Sequence, residues 1–252
     1  MAIIAIRAWY LAHYEPIAEL VQRPHDLRLN KVSLLKSGLR ADFLNERDEV
    51  QRATWFQRYL EGETVEFYIE GSGGYTIANI DLVSHEIYFT QQAIAAWLEP
   101  TIYLSYQGEY EPASQALRES LESAIATLNP RSRLSLSLEE SPRPRNAPMR
   151  IGASQLRRIR KCLLFVADAT PVATGQHARS LPSPLPCLEL GHAIQSKQPN
   201  QILLASMARE GDGQSPFELP DYKQLQFATR EELQQTLPSL LESLLQRFRL
   251  FA

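Results

Sequence analysis

The sequence predicts an α/β protein in two parts: a small α+β domain over residues 1–98, then a doubly wound parallel α/β domain over residues 99–252. Three observations carry this reading. From Thr101 onward strand and helix patterns alternate, which calls for parallel strands joined by crossovers that lie on the faces of a sheet. Two runs in that stretch, CLLFVADA and QILLASM, are continuously apolar, as expected of strands buried on both sides. Before Pro100 the signals are shorter and mixed, with β-rich runs broken by a cluster of glycines.

The elements follow in order. In the first part, Trp55, Phe56, Tyr59 and Leu60 recur at helical spacing and are expected to form the buried stripe of an amphipathic helix that Gly62 stops. TVEFYIEGSGGYTIANIDL then reads as a β-hairpin turning at Gly71–Gly74, because glycine tolerates the positive φ of such turns. A phosphate-binding loop is the competing reading, but a strand follows the glycines and no P-loop lysine is present. The Lys and Arg residues between Arg23 and Arg40 are expected on a solvated helix face, and QQAIAAWLEP on a short helix closed by Pro100.

In the second part the expected strands lie near Thr101–Tyr106, Leu134–Leu138, Cys162–Ala167 and Gln201–Ser206, with LQFA as a short last one. Helices are expected over PASQALRESLESAIATL, GASQLRRIRK, LELGHAIQSK and REELQQTLPSLLESLLQRF. Proline-rich loops fill Pro142–Pro148 and Pro171–Pro186. The last helix is strongly apolar through Leu237, Leu240, Leu241, Leu244, Leu245 and Phe248. Two readings stand for it: cover for its own sheet, or partial burial, with Leu250 and Phe251, against a second copy in a homo-oligomer.

Composition narrows the partners. The 252 residues carry 26 Lys plus Arg against 29 Asp plus Glu, a net charge of -3, so no overall cationic field invites nucleic acid. Cys162 and Cys187 have neither disulfide-framework nor zinc spacing. Arg7 interrupts the N-terminal apolar run and no stretch reaches the length of a membrane span, so a soluble, cytoplasmic chain is expected.

Open parallel sheets bind ligands beyond the carboxyl ends of their strands. That rule points to Ser105, Tyr106 and Gln107, to Glu139–Pro148, to Asp168–Thr170 and to the helix start around Cys187–Gly191. Glu189 is expected in the first turn of its helix, where the dipole favours a carboxylate; a capping acid and a catalytic acid are equally compatible with that position. Tyr103 and Phe165 read as core, leaving Tyr106 as the aromatic placed to stack on a base. His177, His192 and Cys187 do not converge as metal ligands, and no GxSxG elbow is present.

The order Tyr103-Leu104-Ser105-Tyr106, helix, alternating strand, loop, GASQLRRIRKCLLFVADA, variable loop, Cys187-Leu188-Glu189-Leu190-Gly191-His192-Ala193 resembles TIR domains and the related nucleoside 2-deoxyribosyltransferases, over roughly Thr101–Ala252. The IYLSY opening is the more TIR-like part, whereas ELGHA and Asp168 are closer to the transferases. The resemblance implies that Glu189 is the acid that works on an N-glycosidic bond, of NAD in TIR enzymes or of a deoxynucleoside in the transferases. NAD is then a substrate rather than a cofactor. With the strand-end rule, substrate contacts are expected at Ser105, Tyr106, Asp168 and Thr170, with Glu189 at the mouth of a cleft beside Ser105, Tyr106 and Asp168. Glu189→Gln is expected to abolish turnover while leaving the thermal midpoint nearly unchanged. Because TIR-like folds also serve as adaptors, a non-enzymatic self-associating protein is the alternative, with the first domain regulatory or interacting.

Overall fold

The computed structural model describes residues 5–35, 38–92, 95–144, 150–208, 215 and 218–251, and the chain divides into two compact units, Met1–Trp97 and Leu98–Ala252.

In the first unit, β1 (Ile6–Tyr10), β2 (Leu27–Leu35), β3 (Gly38–Phe43), β4 (Glu66–Ile69), β5 (Gly73–Asp81) and β6 (Glu86–Gln91) close an antiparallel barrel in the order β1-β2-β3-β6-β5-β4. Three short helices, α1 (Ile17–Leu20), α2 (Arg47–Arg52) and α3 (Thr54–Leu60), lie between strands. Period-two alternation fills the core: Ala8 and Tyr10, Leu27 and Leu29, Leu39, Ala41 and Phe43, Phe67 and Ile69, Ile87 and Phe89 are all buried. Trp55 joins them from α3, edge-on to Phe67 with ring centroids 5.2 Å apart.

Several expectations change here. The basic stretch before Arg40 forms β2 and β3, not a helix face: Leu27 and Leu29 point inward while Arg28 is exposed. On α3, Trp55 and Phe56 are buried and Tyr59 packs partly, but Leu60 is exposed because the helix ends there. The β4–β5 hairpin turns through Gly71, whose φ of 67° suits glycine, and Ile69 already pairs with Gly73. Of the helix expected over QQAIAAWLEP, residues 93 and 94 lie outside the described set; Ala95–Trp97 form one 3-10 turn, and Pro100 sits inside the next strand.

The second unit alternates strand and helix: β7 (Glu99–Ser105), α4 (Glu111–Leu128), β8 (Ser137–Glu140), α5 (Ala153–Lys161), β9 (Cys162–Asp168), the hairpin β10 (Pro171–Thr174) and β11 (Ser180–Pro182), α6 (Pro184–Ser196), β12 (Ile202–Met207), β13 (Lys223–Phe227) and α7 (Arg230–Leu245). Five of these strands form a sheet in the order β13-β12-β9-β7-β8, every pair parallel. All seven residues of β9 are buried, as its apolar run requires. Tyr103, Phe165, Ile202 and Leu204 share a core with Ile159 of α5 and Leu190 and Ala193 of α6. On α7, Leu233, Leu237, Leu241 and Leu245 are buried, and α7 packs against α4. Among the described residues no helix is long and apolar enough to cross a membrane.

Two boundaries differ from expectation. β8 pairs with β7 only from Ser137, opposite Thr101, so its register runs past Leu134–Leu136 and carries Glu139 and Glu140 to the sheet's end. The loop expected over Pro171–Pro186 contains the β10–β11 hairpin, and α6 begins at Pro184 with Ser183 as its N-cap. Pro184 and Pro186 fit because first-turn N–H groups have no intrahelical partner, so proline forfeits nothing there. Glu189 is therefore the sixth residue of its helix, beyond the first turn.

Gly38 supplies a test of the barrel. A Cβ there would stand 2.5 Å from the backbone oxygen of Phe89, across the β3–β6 ladder. Gly38→Ala should cost about 1–3 kcal/mol, the usual penalty for overpacking. All three tryptophans, Trp9, Trp55 and Trp97, belong to this unit, so the urea midpoint followed by tryptophan fluorescence should fall. An unchanged midpoint would argue against the β3–β6 register.

Candidate functional site

Glu189 is fully buried on the inward face of α6, and its carboxylate is met from four directions. Ser105, at the end of β7, donates to Oε2, and Ser141, just after β8, donates to Oε1. Gln155 of α5 donates through Nε2 to Oε1. Arg143 spans both oxygens, with Nη1 3.3 Å from Oε1 and Nη2 3.2 Å from Oε2, and its side chain is only 9% exposed. Enclosing a carboxylate this completely costs several kcal/mol unless donors replace the lost water, and here the serines, the glutamine and the guanidinium do so.

The donors are themselves fixed. Ser141 is tied to the strand end by its backbone N–H, which donates to the Leu104 carbonyl at 2.9 Å. Its hydroxyl accepts from Arg143 and, at 3.1 Å, from Gln155. Arg143 also donates through Nε to the Tyr106 carbonyl at 2.8 Å and lies 5.2 Å from the Tyr106 ring centroid. Arg118 approaches the same ring at 5.0 Å while gripping Glu140 with Nε and Nη2. Two guanidinium groups therefore occupy the surroundings of the aromatic expected to receive a base.

Two further polar atoms lie beside this cluster without a well-formed hydrogen bond, the Tyr103 hydroxyl, which is near Ser141 and Gln155, and Oε1 of Gln155, both on buried side chains. Tyr103 stacks on Phe165 at 6.0 Å, which makes its ring core as expected. Its hydroxyl, however, belongs to the polar cluster. Burial pushes that hydroxyl above the ordinary tyrosine range, with Ser141 opposing the shift and the nearby Glu189 charge adding to it.

Asp168 and Thr170 take their hydrogen bonds from residues other than the Glu189 cluster. Asp168 is fully buried at the end of β9, where its Oδ1 accepts from the Thr170 N–H at 3.0 Å and its Oδ2 from Ser114 of α4 at 3.2 Å. The Thr170 hydroxyl accepts from the Met207 N–H at 3.0 Å. These residues brace the turn after β9 against α4 and β12. Burial raises the Asp168 carboxyl above the ordinary aspartate range, its hydrogen bonds opposing the shift.

Of the expected site residues, the structure thus brings together Glu189 and Ser105 directly and Tyr106 through Arg143. Glu189 is not at a cleft mouth: it is sealed by Arg143, and two surface cavities of the unit, about 500 and 870 Å³, are lined by other residues. Gln155 escaped the sequence reading, although a glutamine four residues before buried Ile159 marks a polar group on an apolar stripe. Ser141 and Arg143 lay within the expected loop without distinguishing themselves; residues 145–149 of that loop lie outside the described set. Among the described residues no group of three His, Cys, Asp or Glu side chains converges as a metal site.

The enclosure changes what Glu189→Gln should do. An amide leaves the Arg143 guanidinium buried without its counter-charge, so the variant should lose about 3 kcal/mol or more rather than keep its midpoint. Adding Arg143→Met should restore part of the loss, because no buried charge is then stranded. Unfolding followed by far-UV circular dichroism reads both, and a single variant as stable as the wild type would show the pair to be energetically idle. Asp168 makes a pH prediction of opposite character. Its native carboxyl keeps the proton to higher pH than the unfolded one, so the native state binds more protons above about pH 4 and stability falls as pH rises through that interval. Asp168→Asn should flatten this slope in thermal midpoints taken from about pH 4 to neutrality.

The chain matches no family model, and comparisons with curated proteins and with solved structures find no match.

Proposed function

We propose that the second unit is a doubly wound, TIR-like α/β domain that acts on the N-glycosidic bond of a nucleotide, with NAD as substrate and Glu189 as the working carboxylate. The strand order, in which the first strand β7 lies between β8 and β9, and the two helix pairs α4–α7 and α5–α6 support the doubly wound reading. The observation that carries the chemistry is the Glu189 cluster at the carboxyl ends of β7 and β8, the edge where such sheets bind ligands. Full burial by itself counts against ready access for a substrate, so the reading rests on where the carboxylate stands, at the edge of the sheet that receives ligands.

The reaction is simple in its balance. The bond between ribose C1′ and the nicotinamide nitrogen breaks, and its electron pair leaves with the neutral base. Positive charge develops on the ribose, where a carboxylate at contact distance lowers its energy. Water then bonds to C1′ and releases a proton to solvent. For Glu189 to reach the sugar, Arg143 must first give up the carboxylate, and a substrate phosphate offers that guanidinium a replacement partner. Oε1 of Gln155 supplies further hydrogen-bonding capacity beside the carboxylate.

One observation favours a second reading. Glu189 is wholly enclosed, which suits a structural clasp between the ends of β7 and β8 and helices α5 and α6 in a non-enzymatic interaction domain. The purified chain should be incubated with NAD, and separately with a deoxynucleoside plus a free base. The glycosidase reading expects nicotinamide from the first mixture, lost in Glu189→Gln and in the Glu189→Gln/Arg143→Met double variant when circular dichroism shows them folded. Base exchange in the second mixture alone would move the activity to the transferase class. Neither product from the wild type, or full activity in a folded Glu189→Gln variant, would overturn the enzyme reading and leave the clasp.

A further inference from the structure

The contacts that hold the Glu189 carboxylate are of two kinds. Ser105, Ser141 and Gln155 are neutral donors, fixed at the ends of β7 and β8 and on α5. Arg143 brings charge, yet its contacts, 3.3 Å from Nη1 and 3.2 Å from Nη2, are the longest of the set. A charge-assisted pair of this type usually closes to about 2.7–2.9 Å, and the Arg118–Glu140 fork nearby does so at 2.6 and 2.9 Å. Withdrawing Arg143 therefore breaks the loosest bonds and leaves the carboxylate three donors.

Arg143 is anchored elsewhere. Its Nε donates to the Tyr106 carbonyl at 2.8 Å, and its Nη1 reaches the Pro142 carbonyl at 3.2 Å. It stands just beyond β8, between Pro142 and Pro144, both exposed, so the guanidinium separates Glu189 from backbone that borders water. A second cation shares its surroundings. Arg118 of α4 and Arg143 lie 5.0 and 5.2 Å from one ring centroid, that of Tyr106. Glu140 grips Arg118 through Nε and Nη2, which leaves Nη1 outside that fork, and the side chain is 32% exposed.

We propose that Arg143 is the specificity-determining residue of this site, a latch that the diphosphate of a dinucleotide opens by drawing its guanidinium from Glu189 toward Arg118. What the released carboxylate does next rests on the glycosidase reading; the anion binding does not. A guanidinium fork fits phosphate oxygens as it fits a carboxylate, so one phosphate replaces Glu189 as the partner of Arg143 while its neighbour engages Arg118. A nucleoside offers no replacement, and opening the latch for it strands a guanidinium. Tyr106 then carries the two cations through its ring face and does not receive a base.

NAD, nicotinamide mononucleotide and nicotinamide riboside share the N-glycosidic bond and differ in phosphate, so nicotinamide release from each reads the latch. In the wild type kcat/KM should fall in that order, at least a hundredfold from NAD to the riboside. Arg143→Met should bring the three within tenfold of one another, whereas loss of a merely structural arginine would lower all three alike. Titration calorimetry with inorganic pyrophosphate reads the anion site without turnover, and it decides the matter if Arg143→Met fails to fold. The wild type should bind below millimolar concentration, and Arg118→Met, which keeps the Arg143–Glu189 pair, should weaken binding at least tenfold. Equal turnover of NAD and the riboside, an unchanged ratio in folded Arg143→Met, no pyrophosphate binding at millimolar concentration, or affinity indifferent to Arg118→Met would each overturn the proposal. Pyrophosphate binding of the expected kind with no nicotinamide released from any of the three would remove the glycosidase reading alone and support the paired arginines as an anion site.

Discussion

A carboxylate removed wholly from water must be met by donors on every side, and Glu189 imposes that requirement on the second unit. Its partners come from the end of β7, the segment after β8 and a neighbouring helix, positions 105, 141, 143 and 155. None of these elements can shift far without stranding a charge, which costs more than most apolar repacking. The arrangement continues outward through Tyr106. On one side stands the Arg143–Glu189 pair, on the other Arg118–Glu140, and the ring lies within about 5 Å of both guanidinium carbons. Cation–π contact of this kind strengthens where solvent is excluded, so the end of β7 is held by charge as well as by its ladder.

How much of this was legible varies with the signal each segment carries. In the second unit, strands buried on both faces leave apolar runs that admit few other readings, and β9 and β12 were found within a residue or so. Where the signal is compositional, it misled. The prolines before Cys187 read as loop, yet the first turn of a helix accommodates them. RLSLSLEE alternates throughout, but alternation cannot say which residues find a partner strand, and only Ser137–Glu140 do. In the first unit the inward positions alternate faithfully at Leu27 and Leu29 and at Leu39, Ala41 and Phe43. Lysine, arginine and leucine there favour helices in isolation, and tertiary closure of the barrel overrode that preference.

The candidate site divides along similar lines. Glu189 and Ser105 follow from where strands end, a topological rule that needs no partner to be known. The same rule admits Asp168 and Thr170, and it cannot tell a residue that faces a ligand from one that braces a turn. The structure adds their partners: Asp168 accepts from Ser114 and Thr170, and Thr170 from Met207, which ties the turn after β9 to α4 and β12, whereas the Glu189 partners tie β7, the segment after β8 and α5. Arg143 was hidden for the opposite reason. A lone arginine in a proline-rich loop looks solvated in sequence, and only the enclosed carboxylate beneath it explains why it turns inward.

Crossovers decide how this sheet is covered. Helix α6 returns over the sheet between β9 and β12, and its inward face, Pro186, Glu189, Leu190 and Ala193, seals the polar cluster at the ends of β7 and β8. The next crossover brings no helix among the described residues, and the corresponding face of β12 and β13 presents Ser206, Gln224 and Gln226 to a cavity. A parallel strand at the edge of a sheet is ordinarily apolar on both sides, because helices cover both. Along β13, Leu225 and Phe227 share one parity with Lys223 at the strand's start, and Gln224 and Gln226 face the other way. The two exposed glutamines therefore lie on the face of β13 opposite to buried Phe227, and amide side chains that keep contact with water need no partner within the protein.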